Sequence, residues 1–403
     1  MKYIVLLADG MADYPIDSLG GKTPLEVAKL PNINGIARRG EVGMVQTIPA
    51  GMSPGSDTAN LSVMGYAPEI YHTGRSPLEA ASIGVDMKDT DVTFRCNIVT
   101  VTDEPVYADK TMIDHSSGEI TNEEAKILVE YLRDHLEHDF LKLYVGVSYR
   151  HLLVWDKGPE DFNLTPPHDI LEQPVREFLP KGSGAGVILE IMEKSYDLLK
   201  DHPVNKSRIE RGLRPANSAW IWGEGKKPRL DSFEKKFGIK GSVISAVDLI
   251  NGIGICAGLK PVVVPGATGT IHTNFEGKAA GAIEALKSGS DFVYIHVEAP
   301  DECGHQGDLS GKIRSMELID EKVMGPILKA MDAWGEDYRV LVLPDHRTPI
   351  ARRTHTSEPV PYVLYDSRKT VDVEGQAFAE GSGEASGNYF ASGHALMDAF
   401  IKA

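Results

Sequence analysis

Apolar residues along this chain gather in short, dense runs. KYIVLLADG, KPVVVPGATG, DFVYIHVEAPDE and YRVLVLPDH are each rich in β-branched residues, and each stops abruptly on glycine or a polar side chain. Runs this short and continuous, separated by helix-like stretches at 273–288 and 312–334, are what a parallel sheet needs when helices cover both of its faces. The pattern predicts an α/β domain built on a mostly parallel sheet, with the N-terminal run as its first strand. The apolar part of that run, 3–8, ends at Asp9 and is too short for a secretion signal.

The texture changes from about Val92 to Asn217. FRCNIVTVTD and LKLYVGVSYRHLLVW read as strands. TNEEAKILVEYLRDHL reads as an amphipathic helix opened by a capping box, Thr121 with Glu124, and a second helix is expected near 185–199. This predicts an α+β unit, 92–217, inserted into a discontinuous outer domain made of 1–91 and 218–403. The Gly/Ser-rich GSGEASGNY near the C-terminus reads as a loop.

Composition narrows the function. With 42% hydrophobic and 25% charged residues in 403, the chain has enough apolar side chains for two cores. A formal net charge of −16 argues against nucleic acid and anionic membranes as partners, because both repel it at long range. Three scattered cysteines, Cys96, Cys256 and Cys303, predict no disulfide framework and suit a reducing cytoplasm. No apolar segment approaches the roughly 20 residues of a membrane span.

The strand ends carry the chemistry. Asp9 follows the first run; PDECGH places Asp301 and His305 four apart after another; LPDH ends a third on Asp345 and His346, with His355 in THTSEPVP beyond. In open α/β sheets the carboxyl ends of the strands line the ligand crevice, so these ends are expected to converge. A carboxylate at the end of a buried strand is costly without a partner. Six carboxylate and imidazole candidates without a thiolate suit two divalent ions, Mn2+ first, with Zn2+ or Mg2+ as the other options, and ion pairs about 3.5–4 Å apart are the usual clamp for phosphoryl transfer. A nucleophile is offered by Ser56, between Gly55 and Asp57 before a helix-like stretch; the other reading of Ser56 is a plain N-cap. Ser53, directly before Pro54, is its rival.

LADGMAD, GGKTPLEVAKLPNINGIARRG, PGSDTANLSVMGY, PDECGH, LPDH and THTSEPVP, in this order, closely resemble the short archaeal-type branch of the cofactor-independent phosphoglycerate mutases, within the alkaline phosphatase superfamily. The resemblance spans essentially the whole chain. It implies an alkaline-phosphatase-like domain interrupted by a substrate-handling, lid-like domain, and an isomerase of glycolysis that interconverts 3- and 2-phosphoglycerate without 2,3-bisphosphoglycerate. It implies Ser56 as the phosphorylated residue, one metal on Asp301, His305 and His355, and the other on Asp9, Ser56, Asp345 and His346. Where many relatives have histidine four residues after the nucleophile, this chain has Asn60. A sister group implies an alternative, a homoserine kinase; a phosphatase on the same scaffold is another.

An acidic protein needs local cations to hold a phosphoglycerate, and arginine suits phosphate and carboxylate best. SYRHLLV offers Arg150 and His151, RIERGLRPAN offers Arg208, Arg211 and Arg214, and His168 with Asp169 follows TPP; each has the alternative of a solvated surface or a loop cap.

Overall fold

Strand Lys2–Ala8 pairs in parallel with Phe292–Val297 on one side and Tyr338–Leu343 on the other in the computed structural model, which describes residues 1–136, 138–369 and 371–402. By contact the chain divides into two units, Met1–His72 with Arg229–Ala403, and Thr73–Pro228.

The first unit carries an eight-stranded sheet in the order Lys260–Pro261, Gly241–Ile244, Phe292–Val297, Lys2–Ala8, Tyr338–Leu343, Val360–Asp366, Glu41–Val45, Tyr389–Phe390. Only Val360–Asp366 runs against its neighbours. Period-2 alternation sends Ile4, Leu6, Val293, Ile295, Val340 and Val342 to one face, where they meet Phe275, Met316, Ile319 and Ile327 from the helices in one buried core. The other face is covered too, with Phe292 against Phe233 at a ring separation of 4.4 Å.

The stretch 312–334 is helical throughout, with one widened turn: Leu309–Ile319 leads through a π-turn, Asp320–Met324, into Gly325–Trp334. The widened turn lies just ahead of Pro326, which has no N–H to donate and crowds the preceding turn. The Gly/Ser-rich segment is no loop but a helix, Glu380–Ser386, followed by the short edge strand Tyr389–Phe390. Glycine is there for closeness, since a Cβ on Gly383 would sit 2.6 Å from Met44 Sδ and 2.8 Å from Gly43 O.

The second unit is built on antiparallel pairing. Strand Val92–Val101 pairs with Met112–Asp114, Arg150–Trp155 and Ser218–Lys226, and Arg150–Trp155 also pairs with Leu141–Val147. Helices Asn122–His135 and Ala185–Leu199 bury their apolar stripes in its core. Thr121 caps the first of these by accepting from Glu124 N, but the Glu124 side chain does not reach back; it pairs with Arg208 and Arg211. The unit extends beyond 92–217 at both ends, because helix Ser76–Ser82 lies against strand Val92–Val101 and strand Ser218–Lys226 is that strand's partner.

Candidate active site

The three adjacent parallel strands of the first unit end at one level. Asp9 directly follows Lys2–Ala8; Asp345 and His346 follow Tyr338–Leu343; Asp301 and His305 stand one turn apart on helix Ala299–Gln306, which follows Phe292–Val297. His355 comes from the loop ahead of Val360–Asp366, tied back by the Arg347–Thr356 bridge. Gly10 makes the approach possible. Its φ is +60°, and a Cβ there would lie 2.5 Å from both Asp301 Oδ1 and Thr348 Oγ1.

The side chains form two overlapping groups, Asp301 with His346 and His355, and Asp9 with Asp345 and His346, each with donor atoms within 4.8 Å of one another. His305 Nε2 lies 3.1 Å from Asp301 Oδ2, and His355 Nε2 lies 3.4 Å from Asp301 Oδ1. His346 Nε2 is 3.4 Å from Asp345 Oδ2 and 3.6 Å from Asp9 Oδ1. The other ring nitrogens are all engaged. His305 Nδ1 meets Arg353 O and His355 Nδ1 meets Pro54 O, both obligatory acceptors, so both Nδ1 atoms donate. Thr348 gives its hydroxyl proton to Asp301 Oδ1 and so accepts from His346 Nδ1. Three imidazole Nε2 atoms therefore converge on three carboxylates.

Asp9 Oδ1 is buried with no hydrogen-bond partner. Burial first, then the negative Asp345 and Asp301, push the Asp9 carboxyl well above its ordinary range. Burial also raises Asp301, but hydrogen bonds to His305 and His355 outweigh it and hold that carboxyl well below its ordinary range. An orphaned buried carboxylate oxygen, converging imidazole nitrogens and an oxygen-and-nitrogen donor set fit divalent cations.

Ser56 begins helix Ser56–Val63, whose N-cap is Gly55 without a side-chain cap. The N-cap reading is therefore not what its hydroxyl does: Oγ lies 3.2 Å from His346 Nε2. Ser53 is exposed. Asn60 is fully buried, and its Nδ2 donates to Ser56 O and to Asp345 Oδ2, each at 2.9 Å.

Some supporting residues left little mark in the sequence. Lys312 is completely buried under the two ligand loops and donates to Asp13 Oδ2 at 2.7 Å, Thr348 O at 2.8 Å and Ala12 O at 3.3 Å. The available signal was a lysine on the apolar side of a helix.

The substrate candidates lie in the second unit and do not form one group. Arg208 is buried and donates to Arg214 O and Ser117 O. Arg211 pairs with Glu124 and Arg214 with Asp114, at 2.7 Å for the latter. These three are committed to their own unit. His151 is buried, with Nδ1 accepting from Gly146 N, and exposed Asp169 is 3.7 Å from His168. Arg150 and His168 belong to a row of ring contacts, the rings meeting edge to face: Arg150 against Tyr149, Tyr149 against His115, His115 against His168, His168 against Trp222, and Arg95 over Trp222 at 4.3 Å. Arg95 and His115 were not singled out from sequence. Arg95 had a signal, a charge inside the apolar strand FRCNIV.

Comparison with known proteins gives one family. The family model described as 2,3-bisphosphoglycerate-independent phosphoglycerate mutase matches residues 37–205. A protein of that name from Methanothrix thermoacetophila is 49% identical over 401 residues, covering 100% of both chains. Among solved structures, a protein from Pyrococcus horikoshii matches with a TM-score of 0.82 at 28% identity, covering 99% of this chain and 97% of that one. A cofactor-independent phosphoglycerate mutase from Thermoplasma acidophilum matches with a TM-score of 0.70 at 26% identity, covering 100% and 99%.

Proposed function

The chain belongs to the archaeal-type 2,3-bisphosphoglycerate-independent phosphoglycerate mutases, isomerases that interconvert 3- and 2-phosphoglycerate, and on that premise we propose that Ser56 carries the phosphoryl group between the two positions. The observation that supports this reading is the placement of Ser56 Oγ 3.2 Å from His346 Nε2, at the mouth of the carboxylate and imidazole cluster. Ser56 Oγ attacks phosphorus, the bond from phosphorus to the glycerate oxygen breaks, and the serine proton ends on that oxygen as the glycerate hydroxyl. The glycerate turns, its other hydroxyl attacks the phosphoserine, and Ser56 is regenerated.

Asp301, His305 and His355 are assigned to one divalent ion, and Asp9, Ser56, Asp345 and His346 to a second, with Mn2+ preferred for this donor set. Such ions, when bound, supply Lewis-acid stabilisation of the serine oxygen and the transferring phosphoryl oxygens. The first-turn amides of helix Ser56–Val63 favour an anion on Ser56. Substrate recognition is assigned to the unit Thr73–Pro228, through Arg95, Arg150, His115 and His168. Excluding water while glycerate turns keeps the phosphoserine from hydrolysis. A reducing cytoplasm suits the three scattered cysteines.

Mass spectrometry of peptides from protein quenched during turnover is expected to find phosphate on Ser56, and Ser56→Ala to abolish turnover while keeping the fold. Phosphate on another residue, or turnover by Ser56→Ala near the wild-type rate, would overturn the assignment.

A further inference from the structure

Tyr294 and His296 are two residues apart on strand Phe292–Val297 and so project from the same face, opposite the Val293, Ile295 and Val297 side chains that enter the core. Both are wholly buried, yet neither serves packing alone. His296 Nε2 lies 2.9 Å from Asp9 Oδ2, and its Nδ1 lies 3.1 Å from Ser245 Oγ. Ser245 Oγ already accepts from Val247 N at 2.9 Å, which leaves its proton for His296 Nδ1. With Asp9 ionised, Nε2 carries the ring proton and donates it to Oδ2. The other oxygen, Oδ1, faces the cation site with no other partner.

Tyr294 acts at one remove. Its hydroxyl is 2.7 Å from Asn60 Oδ1, while Asn60 Nδ2 meets two groups that only accept, Ser56 O and Asp345 Oδ2. The tyrosine hydroxyl thus donates, and by occupying Oδ1 it fixes which way the amide faces.

We propose that Tyr294 and His296 are positioning residues, Tyr294 fixing Asp345 Oδ2 through Asn60 and His296 holding the outer oxygen of Asp9, and so set the affinity of the ion bound by Asp9, Asp345 and His346 without touching it. One strand then supplies two arms, one direct and one through Asn60, to the two carboxylates of a single ion. The proposal rests on the two-ion reading above. Partners of metal ligands in this position usually change affinity about 10–100-fold when removed.

The test is calorimetric titration of chelator-stripped full-length protein with Mn2+, with thermal unfolding of the stripped protein as a control. Wild type is expected to take two ions. His296→Leu should weaken one of them by about 10–100-fold and leave the other unchanged, and His296→Gln, whose amide N–H reaches toward Asp9, should recover most of that loss. Tyr294→Phe should weaken the same ion. His305→Ala should remove the other ion, so that in combination with His296→Leu only the weakened ion is bound. Wild-type affinity for both ions in His296→Leu and Tyr294→Phe would overturn the proposal. So would equal weakening of both ions in step with lost stability, with no rescue by glutamine. A wild-type protein that takes no ion at this group would overturn the two-ion reading as well, and that result appears before any variant is made.

Discussion

His305 Nε2 lies 2.9 Å from His355 Nε2, while the Nδ1 of each ring donates to a backbone carbonyl. Two neutral rings so arranged would set lone pair against lone pair, so a positive charge, a proton or a metal ion, has to occupy the space they share with Asp301. Chelation is expected to reduce turnover to background, and Mn2+ to restore it. Asp301→Ala and Asp345→Ala should each bind fewer ions by elemental analysis; full activity in stripped protein would contradict the assignment.

Without metal the shared space is filled by a proton. The hydrogen bond to Asp301 raises His305 from its ordinary 6.5 to about 9. A group raised in the folded state contributes stability that is complete below its unfolded pKa and is lost as pH rises through the folded one. Stripped protein should therefore lose melting temperature between about pH 7 and 9 from this group, whereas Mn2+-loaded protein should not. Because the ion must displace the proton, Mn2+ affinity should climb over the same interval and level above it. Thermal scans and metal titrations across that range would check both.

Lys312 and Asp13 are a buried pair, exposed by 0% and 1%. Removing one partner strands the other, at a cost of about 3–5 kcal/mol. Lys312→Met is expected to lower unfolding free energy by that order and to loosen both ligand loops. Lys312→Met with Asp13→Leu should be less damaging than Lys312→Met alone, as urea unfolding would show.

Arginines of the second unit should separate by their existing partners. Arg150 is exposed and rests against the Tyr149 ring, 5.5 Å from its centroid. Losing a hydrogen bond to a charged substrate group costs about 1.5–3 kcal/mol, so Arg150→Ala should lower kcat/KM roughly tenfold to a hundredfold, chiefly through KM. Arg211 is half-exposed and held by Glu124, and Arg211→Ala should leave steady-state kinetics nearly unchanged.

Asp9, Asp301, Asp345 and His346 were legible because each stands close to where an apolar run stops, and a buried strand that ends on aspartate needs a reason. Their supports were not. Tyr294 and His296 sit inside DFVYIHV, where tyrosine reads as an ordinary strand former and histidine as a tolerated one; only the register against Val5 and Leu7 and the position of Asp9 give them work. The outer limits of the second unit were misplaced for a similar reason. SAWIWGEGK reads as a strand of either unit, and its pairing with Val92–Val101 is a long-range fact that one sequence does not display. Helix Glu380–Ser386 went unseen because glycine's low helix propensity was outweighed by the close approach to Gly43.

The central position of Lys2–Ala8 has a consequence in time. It precedes every other strand of its sheet in the chain, yet its partners, Phe292–Val297 and Tyr338–Leu343, follow it by about 284 and 330 residues. Throughout that interval an apolar segment has two unpaired edges, and the second unit, whose strands find partners within 92–226, has time to form first. Parallel pairing over such separations is slow and exposed to aggregation. Nascent chains halted before residue 343 should therefore depend on chaperones that cover strand Lys2–Ala8, and Asp9 cannot meet Asp345 until residue 345 has emerged.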